Sequence, residues 1–296
     1  MEKMINRFEG IYPAAITPFD EYENLDESKL IDFLDFLIDG GVHGIYLLGT
    51  NGEAPLLDMD EKKRVIELAV EHIDGEIPVV AGTMCNSTKK TIELSRYAEK
   101  KGADAVHIII PYYFPSTRTS LVKHFKDISK EISLPVFIYS IPQRTGNDLE
   151  LGTLKELSKV DNVVAVKDSS GDLDFFYSCI EEFEDLHFFG GNDSLIFSYL
   201  TLGGSGAVTA AGNVYPELVS SIYDHFVNGD FKKAKEAQDK VLRISNVMKK
   251  GPYLSGVKAA LKVRGLDFGE VRRPLVPFSS EEMELLKEEL KVLELL

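Results

Sequence analysis

Residues 162–172 read Asn-Val-Val-Ala-Val-Lys-Asp-Ser-Ser-Gly-Asp. The apolar run 163–166 is rich in β-branched residues, which is typical of a strand buried on both faces. It gives way at Lys167 to a polar turn. Desolvation at the end of a buried strand lowers the pKa of a lysine, so part of its amine is neutral and nucleophilic. Such an amine can form a Schiff base with a carbonyl compound. The alternative is a surface lysine that only caps the strand.

Similar apolar runs alternate with helical patterns along most of the chain. The predicted strands are residues 10–18, 43–48, 77–81, 105–110, 135–139, 163–166, 186–189 and 206–209. The predicted helices that follow them are residues 30–38, 60–73, 87–101, 120–132, 149–157, 174–182, 193–202 and 217–227. Strand–helix units repeating at about 25 to 35 residues predict a parallel sheet. Eight of them in one chain favour an α/β fold that closes as a (β/α)₈ TIM barrel over an open doubly wound sheet.

The pattern changes after Gly229. Residues 230–249, 254–263 and 279–296 read as helices with no strand between them. We therefore expect a catalytic barrel domain at residues 1–229 and a helical C-terminal extension at residues 230–296 that packs on it.

The overall charge limits the possible partners. A formal net charge of -15 argues against nucleic acid or an anionic membrane as a main partner, because both need basic patches. A small anionic substrate stays compatible with it. The two cysteines, Cys85 and Cys179, have no CxxC spacing and indicate a reducing compartment without a disulfide framework. Residues 1–7 have no apolar signal region, and no run of about 18 apolar residues occurs, so we expect a cytoplasmic protein.

Polar residues follow several of the predicted strands. Active sites of TIM barrels lie at the carboxyl ends of the strands. Strand two ends in Gly-Thr-Asn-Gly-Glu (49–53), strand four in Pro-Tyr-Tyr-Phe-Pro (111–115), strand five in residues 139–146, and strand six in Lys167. The expected convergence of these four ends on one face favours Lys167 as a nucleophile.

Each of these polar residues has a plain alternative. Thr50 and Asn51 can offer a hydroxyl, an amide and backbone N–H groups to a carboxylate, or they form an ordinary tight turn. Tyr139, one strand away from Lys167, can pass protons between amine and substrate, or it is a core tyrosine. Arg144 can bind a carboxylate, a phosphate or sugar hydroxyls, or it forms a surface ion pair.

Other site classes find no support in the spacing. The six histidines show neither HxH nor HExxH patterns, residues 49–53 lack the lysine of a P-loop, and Gly190-Gly191-Asn192 lacks the dinucleotide fingerprint. The spacing therefore gives no support for a metal site or a dinucleotide site.

Taken together, these motifs resemble a known family. They are the G-T-x-G-E turn (49–53), the P-Y-Y segment (111–113), Y-x-x-P-x-x-T-G (139–146) and V-K-D (166–168). Residues 256–260 and 273–275 add to the likeness, which runs from about residue 10 to 277. The chain is similar to the dihydrodipicolinate synthase / N-acetylneuraminate lyase family of pyruvate-dependent class I aldolases.

The resemblance implies roles for individual residues. Lys167 would form an imine with pyruvate or another 2-keto acid, and Tyr139 would be the general acid and base. Thr50 would assist Tyr139, as would Tyr113 from a neighbouring subunit. Thr50 and Asn51 would hold the keto acid carboxylate.

It also implies the wider organisation of the enzyme. Val208 on strand eight would line the pocket, and the barrel would carry a helical C-terminal extension. The protein would be a homotetramer that uses pyruvate and an aldehyde and needs no metal or organic cofactor.

Departures from the synthase pattern bear on the substrate. Dihydrodipicolinate synthases typically have Thr and Ser where this chain has Asn51 and Ala54, Asn where it has Phe114, and Glu-Ala in place of Asp-Ser at residues 168–169. These forms look more like aldolases acting on 2-keto-3-deoxy sugar acids, such as 2-keto-3-deoxygluconate, or on 4-hydroxy-2-oxoglutarate. We therefore predict a lyase that reversibly cleaves such an acid to pyruvate and an aldehyde.

Arg144 favours an alternative. Dihydrodipicolinate synthases, which condense pyruvate with aspartate semialdehyde in lysine biosynthesis, use an arginine at this place in the motif to hold the semialdehyde carboxylate. Cleavage of sialic acid, dehydration of a keto-deoxy sugar acid and a non-catalytic barrel that binds a keto acid also stay open.

Overall fold

The computed structural model describes residues 8–252 and 254–296. Residues 1–7, on which the expectation of no secretion signal rests, lie outside the described residues. The strands are β1 Gly10–Pro13, β2 Ile45–Tyr46, β3 Val79–Gly82, β4 Ala105–Ile109, β5 Val136–Ser140, β6 Val163–Asp168, β7 His187–Gly190 and β8 Gly206–Thr209.

The eight strands form one parallel sheet that closes on itself. Consecutive strands from β2 to β8 are neighbours, and β8 pairs with β1, where Gly206 lies opposite Gly10. The circle closes between β1 and β2 through a bridge from Ala14 to Tyr46 and a hydrogen bond from the His43 N–H to the Ile11 carbonyl. The predicted (β/α)₈ TIM barrel is confirmed.

Helices follow the strands and cover the outside of the barrel. They are α1 Glu27–Asp39, α2 Met59–Ile73, α3 Thr88–Lys101, α4 Arg118–Ser129, the single turn α5 Pro142–Thr145, α6 Leu151–Leu157, α7 Leu173–Glu182, α8 Ile196–Thr201 and α9 Pro216–Val227. The Asp26 side chain caps the first turn of α1, and Gly102 ends α3 with φ 92°.

Some predicted boundaries are wrong. Regular β1 pairing stops at Pro13 and β2 has only two residues, although the apolar runs continue to 18 and 48. In β2 the reason is Leu48, whose φ of 53° turns the backbone out of the extended conformation. Strand β6 continues through Lys167 to Asp168, and the helix predicted from 193 begins with a 3₁₀ turn before α8.

Two layers of apolar side chains make up the core. The smaller layer fills the barrel and includes Tyr12, Tyr46, Phe137, Ala165 and Phe189. The larger layer lies between the strands and the surrounding helices. Burial inside and outside the sheet explains why the strands read as continuous apolar runs.

Strand β6 contains one extra residue. Val136 pairs with Val163, but Phe137 pairs with Ala165, so Val164 has no partner on β5. A bulge of this kind resets the alternation of side chains. As a result Ala165 joins the barrel interior, and Lys167, two residues further, faces the same way.

The C-terminal extension consists of α10 Phe231–Met248, α11 Ser255–Val263 and α12 Ser280–Val292. Helix α10 packs against α9, and α11 and α12 pack against α10. The division at residue 229 stays a prediction. Among the described residues, no helix is both long and apolar enough to cross a membrane.

Candidate active site

A cavity of about 440 Å³ opens at the carboxyl ends of the strands. Six predicted site residues line it, namely Thr50, Asn51, Tyr139, Arg144, Lys167 and Val208. They come from β5, β6, β8 and the turns after β2 and β5. The location agrees with the general placement of active sites in TIM barrels.

Lys167 lies buried at the base of this cavity. Its Nζ atom is 3.9 Å from the centroid of the Tyr139 ring and 4.7 Å from that of the Tyr46 ring. Burial lowers the pKa of Lys167 to about 7, although the nearby Asp193 carboxylate acts in the opposite direction. A large fraction of the amine is therefore neutral near neutral pH, as attack on a carbonyl requires.

Tyr139 lies directly opposite Lys167 in the parallel ladder between β5 and β6. Its hydroxyl is hydrogen-bonded to that of Thr50 at 3.1 Å. Burial raises the pKa of Tyr139, and hydrogen bonds with the Thr50 and Ser169 hydroxyls partly offset this rise. The phenol is thus protonated at neutral pH and connected to a second hydroxyl that can relay its proton.

Two stacked rings lie below the amine. The imidazole of His107 stacks on Tyr46 with 3.8 Å between ring centroids, and its Nε2 atom is 2.7 Å from the Leu47 carbonyl oxygen. Burial lowers the pKa of His107 to about 3, so the ring is neutral. His107 is therefore a buried residue of the barrel core. Because the ring is neutral, it places no second positive charge near the Lys167 amine.

Asp193 is the acidic residue whose charge raises the pKa of Lys167. Its carboxylate accepts hydrogen bonds from the N–H groups of Ala210 (2.9 Å) and Ala211 (3.0 Å). Its own pKa is raised by burial. The carboxylate lines the cavity and is fixed in place by two backbone donors.

The outer part of the cavity is polar and carries two cations. Gln143 and Arg144 come from the turn after β5, and the Gln143 amide donates to the Ser170 carbonyl at 2.7 Å. Ser245 and Lys249 come from the end of α10 and the residue after it. Residues of the C-terminal extension therefore form part of the cavity wall.

This arrangement combines a nucleophilic amine, a protonated phenol and an adjacent hydroxyl in one water-accessible cavity. An amine and a phenol so placed can form and hydrolyse imines. Among the described residues, no group of three or more His, Cys, Asp or Glu side chains could hold a metal ion. Cys85 and Cys179 are both free and buried.

The dihydrodipicolinate synthetase family model matches residues 7–293, nearly the whole chain. This chain belongs to that family. It is an enzyme, a lyase of the aldolase type. The expected family is thus confirmed.

Relatives and solved structures in the family are similar over almost their full length. An uncharacterized DapA-like lyase of Halobacterium salinarum is 39% identical over 97% of this chain and 94% of its own. The 4-hydroxy-tetrahydrodipicolinate synthase of Bacillus subtilis is 38% identical over 93% of this chain and 96% of its own. YagE of Escherichia coli K12, solved in complex with pyruvate, has a TM-score of 0.94 at 30% identity and covers 98% of this chain and 99% of its own.

Tyr113, unlike the other predicted site residues, does not line the cavity of its own chain. It follows β4 with φ 81°, its side chain is 84% exposed, and its ring packs edge-on against the exposed Phe114. The end of β4 lies on the same face of the barrel as the other three ends, because the strands are parallel, but Tyr113 does not line the cavity. The expected contribution from a neighbouring subunit stays a prediction.

Sequence reasoning missed several residues of this dihydrodipicolinate synthetase family site. Asp193 stands in the polar run Asn192-Asp193-Ser194, and nothing in that run signals that its side chain is buried. Ser169 was seen only as part of a polar turn. Its hydroxyl packs against Gly191, where an added Cβ would lie 1.9 Å from the Ser169 Oγ atom. The glycine after β7 was the available signal, because close approach often requires a residue without a Cβ.

Proposed function

We propose that the chain is a Schiff-base lyase that reversibly cleaves a 2-keto-3-deoxy sugar acid, or a related 4-hydroxy-2-keto acid, to pyruvate and an aldehyde. The observation that carries this proposal is the buried amine of Lys167, whose pKa is lowered to about 7, beside the Tyr139 phenol. A binding protein has no need of an amine with this pKa.

The steps follow from imine chemistry. The Lys167 amine adds to the C2 carbonyl to give a carbinolamine, which loses water to form a protonated imine. The C3–C4 bond then breaks, its electron pair enters the imine to give an enamine, and the C4 hydroxyl loses its proton as the aldehyde leaves. Protonation of the enamine at C3 and addition of water release pyruvate. Tyr139, linked to Thr50, supplies and accepts these protons.

The keto acid end has an apolar and a polar side. Thr50 and Asn51, in the turn after β2, hold the carboxylate with a hydroxyl, an amide and backbone N–H groups. Val208 on β8 lies in the same cavity and packs against the carbon chain. These roles rest on the position of the three residues around Lys167 and on the likeness to the family.

The aldehyde end meets hydroxyl, amide and carboxylate groups. Ser169, Asn192, Asp193 and Ser245 all line the cavity. Such groups satisfy the hydroxyls of a sugar-derived aldehyde. This lining, together with the sequence departures around Asn51 and Lys167, favours the sugar acid.

A second candidate is 4-hydroxy-tetrahydrodipicolinate synthase. The cations Arg144 and Lys249 in the cavity wall suit the carboxylate of aspartate semialdehyde. The name of the Bacillus subtilis relative supports this candidate as well.

Two measurements test these proposals. Reduction with borohydride in the presence of pyruvate, followed by mass spectrometry, should add the reduced pyruvate adduct at Lys167. An unmodified Lys167 would leave the non-catalytic binding barrel as the better description. The rate of pyruvate release from 2-keto-3-deoxygluconate is then compared with the rate of condensation with aspartate semialdehyde, and a clear preference for the semialdehyde reverses the order of the two candidates.

Arg144→Ala separates the candidates further. If the synthase activity dominates, the variant should raise the KM for aspartate semialdehyde about 10-fold or more, because a charged hydrogen bond is lost. Its KM for pyruvate should stay unchanged. An unaltered KM for both would make Arg144 a surface residue with no part in either reaction.

We further propose that the enzyme is a cytoplasmic homotetramer. The exposed aromatic pair Tyr113 and Phe114, with 84% and 74% of the side chains exposed, supports an assembly in which a second subunit covers it. The two free cysteines support a reducing compartment.

A further inference from the structure

A buried ion pair joins the turn after β2 to the C-terminal extension. The Nζ atom of Lys258 on α11 lies 2.8 Å from the Oε1 atom of Glu53, the last residue of the Gly-Thr-Asn-Gly-Glu turn. The two side chains are only 2% and 1% exposed. Their positions in the chain are 205 residues apart.

Each side chain of the pair has a further hydrogen bond. The Oε2 atom of Glu53 accepts the backbone N–H of Arg272 at 2.8 Å, and Lys258 also donates to the Glu270 carbonyl at 2.9 Å. The Lys258 ammonium lies 4.4 Å from the centroid of the Phe19 ring. The carboxylate is thus held from two sides by residues of the extension.

Glu53 has a backbone conformation that few residues with a side chain adopt. Its φ is 54°, in the left-handed region. Its N–H donates to the Thr50 carbonyl at 3.0 Å, and its own carbonyl accepts from Leu56 at 2.8 Å. A strained backbone persists only where surrounding contacts hold it. At Glu53 these contacts are made by the side-chain carboxylate.

Both ends of the pair lie next to the cavity. Glu53 follows Thr50 and Asn51 closely, and Lys258 follows Gly256 and Val257; all four of these neighbours line the cavity. Removing one partner of a buried ion pair is costly. The presence of the pair is nevertheless weak evidence that it stabilises the fold, because apolar residues of similar volume often give equal stability. Because the pair joins two segments that line the cavity, we infer that it fixes the geometry of the cavity wall.

We propose that Glu53 and Lys258 are positioning residues through which α11 holds the Thr50–Asn51 turn in the geometry that binds a keto acid carboxylate. The statement that the turn binds a keto acid rests on the proposed function. The statement that the ion pair holds the turn in place does not. The extension is then a working part of the substrate site, although it supplies none of the atoms that react.

The test uses Lys258→Met in the full-length protein. Lys262→Met is the matched control, because Lys262 is one turn further along α11 and pairs with Glu270 at 2.7 Å on the surface. Glu53→Gln is a second variant in case Lys258→Met does not fold, since its amide oxygen can still accept from Arg272. Three quantities are measured: hydrogen exchange of residues 49–57, the pyruvate concentration that half-saturates borohydride trapping, and the trapping rate at saturation.

Lys258→Met should accelerate exchange in residues 49–57 and raise the half-saturating pyruvate about 10-fold or more, because small displacements of binding groups are costly. The saturated trapping rate should fall less than the affinity does, because Lys167 and Tyr139 lie on β6 and β5 and only Thr50, the hydrogen-bond partner of Tyr139, belongs to the loosened turn. Glu53→Gln should have the same effects, and the double variant should be no worse than the poorer single variant. Lys262→Met should match the wild type.

A lower unfolding midpoint with unchanged exchange in the turn and unchanged half-saturation would overturn the proposal, since the pair would then only stabilise the fold. If pyruvate does not modify even the wild type, the proposed function fails. Faster exchange of residues 49–57 in Lys258→Met but not in Lys262→Met would still support the positioning role.

Discussion

The protonation state of one amine governs the chemistry at the residue scale. Only the neutral form attacks a carbonyl, and burial lowers the pKa of Lys167 to about 7. Trapping of subsaturating pyruvate with cyanoborohydride should therefore increase with pH, be half-maximal near pH 7 and level off above it. A rise that continues to about pH 10, as for an exposed lysine, would contradict the burial argument.

Asp193 provides a test with a defined sign. Its carboxylate favours the charged form of Lys167 and so raises the pKa of Lys167. Asp193→Asn keeps an oxygen that can accept from Ala210 but removes the charge. The midpoint of the trapping profile should move to lower pH by about half a unit or more. The exposed Glu184 gives the control Glu184→Gln, which should leave the midpoint in place; a shift to higher pH in Asp193→Asn would contradict the assignment.

Two tyrosines beside Lys167 should respond differently to loss of a hydroxyl. Tyr139→Phe keeps the ring near Nζ but removes the group bonded to Thr50, so turnover should fall about 10²- to 10⁴-fold. Tyr46→Phe also keeps its ring, and the Tyr46 hydroxyl is buried with no hydrogen-bond partner among the described residues. We expect turnover within several-fold of wild type and equal or greater stability in Tyr46→Phe. Equal losses of turnover in both variants would argue against proton transfer by Tyr139.

Sequence patterns reveal some of these residues and hide others for physical reasons. Lys167 and Tyr139 were predicted because a polar residue that ends a buried strand contrasts with the run before it. Asp193 and Ser169 have no such contrast, since both occur in polar segments whose burial depends on strands and helices distant in the chain. The unpaired hydroxyl of Tyr46 is equally invisible, because tyrosine is common in strands.

At the scale of elements, the bulge in β6 decides which way the catalytic amine faces. Val163 packs in the outer layer, so strict alternation from it would turn Lys167 outward, toward the helices. The extra residue Val164 reverses this. Periodicity in a short apolar run does not show a bulge, so the prediction of strand six was sound while the orientation of Lys167 needed the structure.

Close contact between β8 and β1 leads to a prediction about barrel closure. A Cβ added at Gly206 would lie 1.9 Å from the Gly10 carbonyl oxygen. Gly206→Ala should lower the free energy of unfolding by about 3 kcal/mol or more in urea titrations. Gly229 has φ 77° but open space around it, so Gly229→Ala should cost only about 1 kcal/mol. Similar losses in both variants would show that backbone conformation, and not strand contact, sets the cost.

For the whole molecule, the predicted barrel and its helical extension agree with the structure, but assembly could not be derived from one chain. Repeated strand–helix units define a closed sheet because each unit buries its own apolar face. Exposed residues such as Tyr113 and Phe114 carry no equivalent pattern. The role proposed for Tyr113 depends on a second subunit, and within the sequence only the likeness to the family indicates one.

Mixed oligomers test the proposed contribution of Tyr113. Lys167→Ala and Tyr113→Phe should each have low turnover. If Tyr113 acts in a neighbouring subunit, mixing and reassembling the two variants should restore part of the activity, because some sites then combine an intact Lys167 with an intact Tyr113. Turnover no greater than the sum of the separate variants would indicate that Tyr113 acts within its own chain or not at all.

The contact between Glu53 and Lys258 has a consequence for how the protein is made. The turn that begins the site leaves the ribosome early, whereas the lysine that holds it is 205 residues further on. Contacts between such distant residues form late in folding. We expect a nascent chain that has exposed every strand of the barrel to bind pyruvate only weakly, and to reach full affinity only when its last helices emerge. Stalled chains of increasing length, probed by borohydride trapping, would show at which residue the enzyme becomes active.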